Sequence, residues 1–247
     1  MSSRFNTVVP SLFTILNLFF GFFAILSAIQ GKLVTASWMI ILAGVWDALD
    51  GKIARKTLSF SEFGLQLDSL ADVVSFGVAP ATLLYQVFFY KLGAPGILLS
   101  FLPLMFGAIR LARFNVTSEA LEKESFSGLP TPAMAATLAS YVIFNYDVWE
   151  GLKYAPALIP LVVFLCILMV SNVEYEAMPK FSFRENKKNS ILLLLMLAGV
   201  VIVAVFREKI MFPIALGFVL FFFVRSMVHS LRADEDDEEV FDISIPD

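Results

Sequence analysis

Apolar residues fall in long charge-free runs separated by short charged segments, and this spacing predicts helices that cross a bilayer. A helix rises about 1.5 Å per residue, so roughly 17 to 25 mostly apolar residues traverse a hydrocarbon core about 30 Å thick. Runs near that length cover Phe5 to Gly31, Val73 to Tyr90, Leu92 to Ile109, Ser125 to Tyr146, Tyr154 to Val173 and Asn189 to Phe206. Leu33 to Trp46 and Ile210 to Val224 are shorter and span only if their flanking charges are drawn into the interface. The expectation is an all-α integral membrane protein with eight transmembrane helices. The first run exceeds the apolar core of a signal peptide, and Phe19 to Phe23 offers no small-residue cleavage site, so a retained helix is expected.

An even number of spans puts both termini on one side, and the distribution of Lys and Arg identifies that side. Thirteen of the 18 basic residues lie in the N-terminus and in segments 52–56, 110–123, 180–188 and 225–232. The remaining five are Lys32, Lys91, Lys153, Arg207 and Lys209. The first set and both termini are therefore expected on the cytoplasmic side of the cell membrane.

Composition narrows the chemistry. At 58% hydrophobic and 16% charged, the chain falls well below the roughly 25% charged residues of a soluble domain. One Cys and one His exclude a disulfide framework and a Cys/His zinc site. Cys166 sits mid-span and His229 at the end of the last helix, so both read as structural. The net charge of −4 comes from the acidic run Asp234 to Glu239, and nothing points to nucleic acid. Catalysis must rest on carboxylates and basic residues.

Such carboxylates occur at a membrane boundary, in the stretch Asp47 to Asp72. On a helix, Asp47, Asp50, Gly51 and Ala54 share an arc of roughly 100°. Ser59 to Glu62 fits a capping box, which predicts a fresh helix start. Gly64, Asp68 and Asp72 then align at steps of four. An intramembrane Asp costs about 2.5 to 3.5 kcal/mol, and four together need a compensating cation. Oxygen-only donors favour Mg²⁺, Mn²⁺ or Ca²⁺, and a binuclear site is expected. The bland reading is a solvated polar hairpin, against which Ala48, Leu49, Ile53, Leu65, Leu67 and Leu70 make both arms amphipathic. A third reading, an ion pathway in a transporter, calls for acids nearer the bilayer midplane.

Asp47, Asp50, Gly51, Ala54, Arg55, Gly64, Asp68 and Asp72 match D-x-x-D-G-x-x-A-R-x8-G-x-x-x-D-x-x-x-D at every fixed position. This pattern resembles the signature of the CDP-alcohol phosphotransferase family. The resemblance implies a six-helix catalytic core (residues 1–189), usually homodimeric, that displaces CMP from a CDP-activated lipid. It leaves an additional hairpin (190–232) and an acidic, disordered tail (233–247). It implies that Asp47, Asp50, Asp68 and Asp72 hold two metal ions and that Asp72 is the general base. Gly51, Ala54 and Gly64 then make room for the nucleotide, and Arg55 either neutralises phosphate or snorkels to the interface.

Pro10, Ser11, Thr14 and Asn17, then Arg110 to Asn115, then Phe126 to Pro132, resemble motifs of the branch of that family that makes phosphatidylserine from CDP-diacylglycerol and L-serine. Ser11 stands where that branch has Asn. Arg110 and Arg113 either hold the serine carboxylate or enforce topology. Thr14 and Asn17 either face the nucleotide or join neighbouring helices. Other members of the family, making phosphatidylglycerophosphate, phosphatidylinositol phosphate or archaetidylserine, are the alternatives.

Overall fold

The computed structural model describes residues 2–57, 62–116, 125–171, 173–176 and 208–242. The chain begins with α1 (Ser2–Ile29) and α2 (Leu33–Thr57), and α3 (Glu62–Asp72) follows. A π-helical segment (Val73–Val78) carries α3 without a break into α4 (Ala79–Val87). After a 3₁₀ turn (Phe89–Leu92) come α5 (Ala94–Val116), a short strand β1 (Ser125–Ser127) and α6 (Thr131–Trp149). A second 3₁₀ turn (Ala155–Ala157) leads into α7 (Leu158–Val170), then β2 (Glu174–Glu176) and α8 (Glu208–Asp242).

Five of these helices are long and apolar enough to cross a membrane, with spans in α1, α2, the continuous α3–α4 rod, α5 and α8; α7 with its 3₁₀ lead is a shorter apolar helix. Their faces are inverted relative to a water-soluble bundle. On α1, Leu12, Phe19, Phe22 and Leu26 point outward while Thr14, Asn17, Gly21, Ala24 and Ala28 point inward. Small inward residues let helix backbones approach closely, which is how packing is gained when the surrounding solvent is itself apolar. Ala36 and Ala43 of α2 and Ala135 and Ala139 of α6 are fully buried for the same reason. α6 is buried along most of its length, and its Thr, Ser and Ala content makes it less apolar than its neighbours because it meets protein rather than lipid.

Several sequence expectations need amendment. The run Ser125 to Tyr146 does not form one helix, because α6 starts only at Thr131. Gly128 has φ +78, and Pro130 lacks an N–H and favours an extended residue before it. The Gly128 and Leu129 N–H groups instead donate to the carbonyls of Val173 and Leu168. β1 pairs antiparallel with β2 in a two-stranded ribbon, a small exception to an all-helical fold. The acidic run Asp234 to Glu239, expected to be disordered, lies within α8, which continues to Asp242. Extending a helix is far easier than nucleating one, and no Gly or Pro interrupts this stretch. The expected span Asn189 to Phe206 and the Ser59 to Ser61 part of the capping box lie outside the described residues.

α8 packs on α6 and α7, with Phe212 against Tyr141 (4.9 Å between ring centres) and Phe223 against Phe164 (5.6 Å). At the α6–α7 turn, Lys153 Nζ lies 6.0 Å from the Trp149 ring and 5.7 Å from that of Tyr154. Lys91 caps Tyr90 in the same manner. Aromatic rings beside cations are the usual mark of a membrane interface. The ends bearing Asp47 on α2 and Asp72 on α3 lie opposite this belt, roughly 20 Å away along the helices.

Candidate active site

Two one-turn pairs build the site. Asp47 and Asp50 lie on consecutive turns near the end of α2, and Asp68 and Asp72 on consecutive turns of α3. α1 packs against both helices, and Asp47, Asp68 and Asp72 come together beside it, each offering a carboxylate oxygen, with these atoms all within 4.8 Å of one another. Asp50 (6% exposed) and Asp72 (8% exposed) are buried, and Asp47 and Asp68 are half-buried. The solvated-hairpin reading is therefore wrong.

Asp50 stands slightly apart from the other three. Its Oδ2 accepts a hydrogen bond from the Thr14 hydroxyl, while its Oδ1 is buried with no hydrogen-bond partner. A buried carboxylate oxygen without a donor is costly to keep. Three converging carboxylates beside such an acceptor make an oxygen-only donor set, and this fits a hard divalent cation.

α1 supplies the supporting layer. Thr14 (2% exposed) and Asn17 (fully buried) lie on the face of α1 that meets α2 and α3. Asn17 Nδ2 donates to Asp72 Oδ1 at 3.1 Å. Thr14 and Asn17 thus join α1 to its neighbours, and the partners they join are the aspartates themselves. One turn deeper, Ser75 Oγ donates to the Asn17 carbonyl at 2.9 Å. That contact needs Gly21, since a Cβ there would lie 2.7 Å from Ser75 Cα. Neither Ser75 nor Gly21 was singled out by sequence. The one available signal was that Thr14, Asn17 and Gly21 share a face at steps of three and four.

Gly51 is exposed beside Asp50, and Gly64 is half-buried one turn before Asp68. The backbones of Ala54 and Arg55 lie in α2, and their side chains are outside the described residues. At the end of α5, Arg110 is half-buried and its Nη1 donates to the Met169 carbonyl at 3.4 Å; Arg113 is exposed. A residue in the same motif without an expected role, Asn115, binds α5 to α3. Its Nδ2 donates to Ser69 Oγ at 2.9 Å, next to Asp68. The arginine end of α5 is thereby held at the end of the bundle that carries the carboxylates. Cys166 is buried in α7, in keeping with a structural role.

Comparison with known proteins covers the stretch that carries these residues. The family model described as CDP-alcohol phosphatidyltransferase matches residues 7–171, which span α1 to the end of α7. A Helicobacter pylori protein named CDP-diacylglycerol–serine O-phosphatidyltransferase is 39% identical over 191 residues, 76% of this chain and 79% of that one. An archaetidylserine synthase of Methanothermobacter thermautotrophicus is 38% identical over 172 residues, 68% of this chain and 69% of its own. A Bacillus subtilis protein, again named for phosphatidyl transfer to serine, is 34% identical over 173 residues and 92% of its length is covered. With a family model spanning the whole aspartate site and relatives aligned over most of their length, the chain belongs to the CDP-alcohol phosphatidyltransferase family.

Proposed function

We propose that this membrane protein transfers the phosphatidyl group of CDP-diacylglycerol to the hydroxyl of L-serine and releases CMP. The observation that carries the reading is the convergence of Asp47, Asp68 and Asp72 within 4.8 Å in a chain that matches the family over residues 7–171. The choice of serine rests on relatives whose names specify phosphatidyl transfer to serine or the making of archaetidylserine.

Phosphoryl-type transfer needs positioning and charge neutralisation more than covalent chemistry. Asp47, Asp50, Asp68 and Asp72 would hold two divalent ions, Mg²⁺ or Mn²⁺, with Ca²⁺ a third candidate. Bound there, such ions would supply positive charge to neutralise the diphosphate and the departing CMP. Asp72 takes the serine hydroxyl proton as the oxygen attacks. The bond from phosphorus to the serine oxygen forms while the bond to CMP breaks, and the proton stays on Asp72 until solvent removes it. Gly51, Ala54 and Gly64 would leave room for the nucleotide, and Arg55 would neutralise its phosphate charge. Arg110 and Arg113 bind the serine carboxylate, for which a guanidinium fork is well shaped.

The site lies at the cytoplasmic face, with both termini on that side, and the protein works as a homodimer in the cell membrane. Residues 1–189 form the catalytic core and 190–232 an added hairpin. A diacyl lipid presents its headgroup at this depth while its tails remain among the helices.

The test is CMP release from CDP-diacylglycerol in mixed micelles. Release must depend on both L-serine and a divalent ion. Equal release with glycerol 3-phosphate overturns the serine assignment, and ion flux through vesicles without any CMP release overturns the enzyme.

A further inference from the structure

The helix carrying Asp68 and Asp72 changes its winding immediately after Asp72. Val73 to Val78 is π-helical, and normal α-helical winding resumes at Ala79. Such segments often sit at functional positions because they alter which side chains share a face. Here the altered stretch carries Ser75, Phe76 and Gly77, all buried. Ser75 lies against Gly21 of α1, and Gly77 lies against Leu104 of α5, where an added Cβ would be 3.0 Å from Leu104 Cδ1.

α1 and the α3–α4 rod run in the same direction, so two contacts repeat one turn apart. Asn17 meets Asp72, and Gly21 meets Ser75. The two levels are linked, because the Ser75 hydroxyl donates to the backbone carbonyl of the same Asn17 whose side-chain amide donates to Asp72. All four residues are buried, and Asn17 Oδ1 has no hydrogen-bond partner. A fully buried amide with its donor engaged by Asp72 is poorly placed to touch a substrate but well placed to orient a carboxylate.

We propose that Asn17 and Ser75 are positioning residues for Asp72, locked by the close approach of α1 to the π-helical segment at Gly21. The proposal rests on the reading of Asp72 as base and metal ligand. Ser75 fixes the height and rotation of α1 against the rod. Asn17 then holds the Asp72 carboxylate in one orientation before lipid or serine arrives, and groups that support metal ligands in this way typically matter at about the 10- to 100-fold level.

The experiment uses the full chain purified in detergent, with Asn17→Ala, Ser75→Ala and the double variant. Steady-state CMP release yields kcat and both KM values, and Mn²⁺ binding is titrated by electron paramagnetic resonance without either substrate. Asn17→Ala should lower kcat by about 10- to 100-fold and weaken Mn²⁺ binding, while both KM values stay within about twofold. Ser75→Ala should lower kcat by a smaller factor, and the double variant should be no worse than Asn17→Ala because both act through one carboxylate. A raised KM for CDP-diacylglycerol at unchanged kcat means direct substrate contact and overturns the proposal. So do multiplicative losses in the double variant, or an unchanged Mn²⁺ titration. Should Asn17→Ala fail to fold, the milder Ser75→Ala decides alone, by whether kcat and Mn²⁺ binding fall together. If the parent protein shows no serine-dependent release, the functional reading fails, whereas the substrate-free Mn²⁺ titration still judges the positioning.

Discussion

Replacing Gly21 by Ala adds a single methyl group at the closest approach of α1 to the π-helical segment. That methyl would sit 2.7 Å from Ser75 Cα, whereas carbon atoms rest at about 3.5 Å or more. The neighbour on one side is backbone, so a rotamer change cannot relieve the overlap, and the helices must part by roughly 0.8 Å. Asn17 is one turn away on the same face of α1 and moves with it. Its 3.1 Å bond to Asp72 then opens to roughly 3.9 Å, beyond hydrogen-bond range. Misplacement by about 1 Å at a reacting group costs on the order of 10²-fold, so kcat should fall roughly 30- to 100-fold. Ala also has a higher helix propensity than Gly by about 1 kcal/mol, which offsets part of the packing loss, so thermal stability should change little. The assay is the initial rate of CMP release at saturating CDP-diacylglycerol and serine, beside a thermal melt in the same detergent. Gly217→Ala is the control, because a Cβ there meets nothing within 4 Å. A Gly21→Ala protein that melts normally and keeps kcat within about threefold of the parent would refute the steric reasoning.

Two further outcomes follow from the geometry. Asp72→Asn should reduce turnover by about 10²- to 10⁴-fold, the usual contribution of a general base, while CDP-lipid binding by equilibrium dialysis remains detectable. Normal turnover in that variant removes Asp72 from the role. Gly128→Ala forces a side chain into a residue with φ +78, at about 1 to 2 kcal/mol, and places a Cβ 3.0 Å from Arg110 Nη1 and against the Met169 carbonyl that Arg110 donates to. The KM for serine should rise about tenfold with that for CDP-diacylglycerol unchanged. An unaltered serine KM would separate Arg110 from the acceptor.

Much of the site was legible because its chemistry is local. Asp47 and Asp50, and Asp68 and Asp72, align by helical periodicity alone, and clustered acids at a membrane boundary demand a cation in any fold. The support of those acids was not legible. Asn115 and Ser69 are 46 positions apart and Ser75 is 58 from Asn17, so no spacing rule connects them. Gly21 lies within the apolar run Phe19 to Phe23, where a glycine looks like one more lipid-facing residue. Pro130 directly precedes the start of α6, but the ribbon before it depended on acceptors supplied by Leu168 and Val173.

By itself the sequence determined the solvent of this protein, the helices that the solvent requires, and the ligand type at the active end. These follow from hydropathy, charge and helical period, which are properties of neighbouring residues. Tertiary structure alone decided that Asp47, Asp68 and Asp72 converge while Asp50 pairs with Thr14, and that α1 orients Asp72 through Asn17. Those outcomes depend on the distance and rotation between whole helices, set by small buried residues such as Gly21 and by a change of winding after Asp72. In a bilayer no apolar pattern distinguishes a helix face turned to lipid from one turned to a neighbour, so that choice falls to packing.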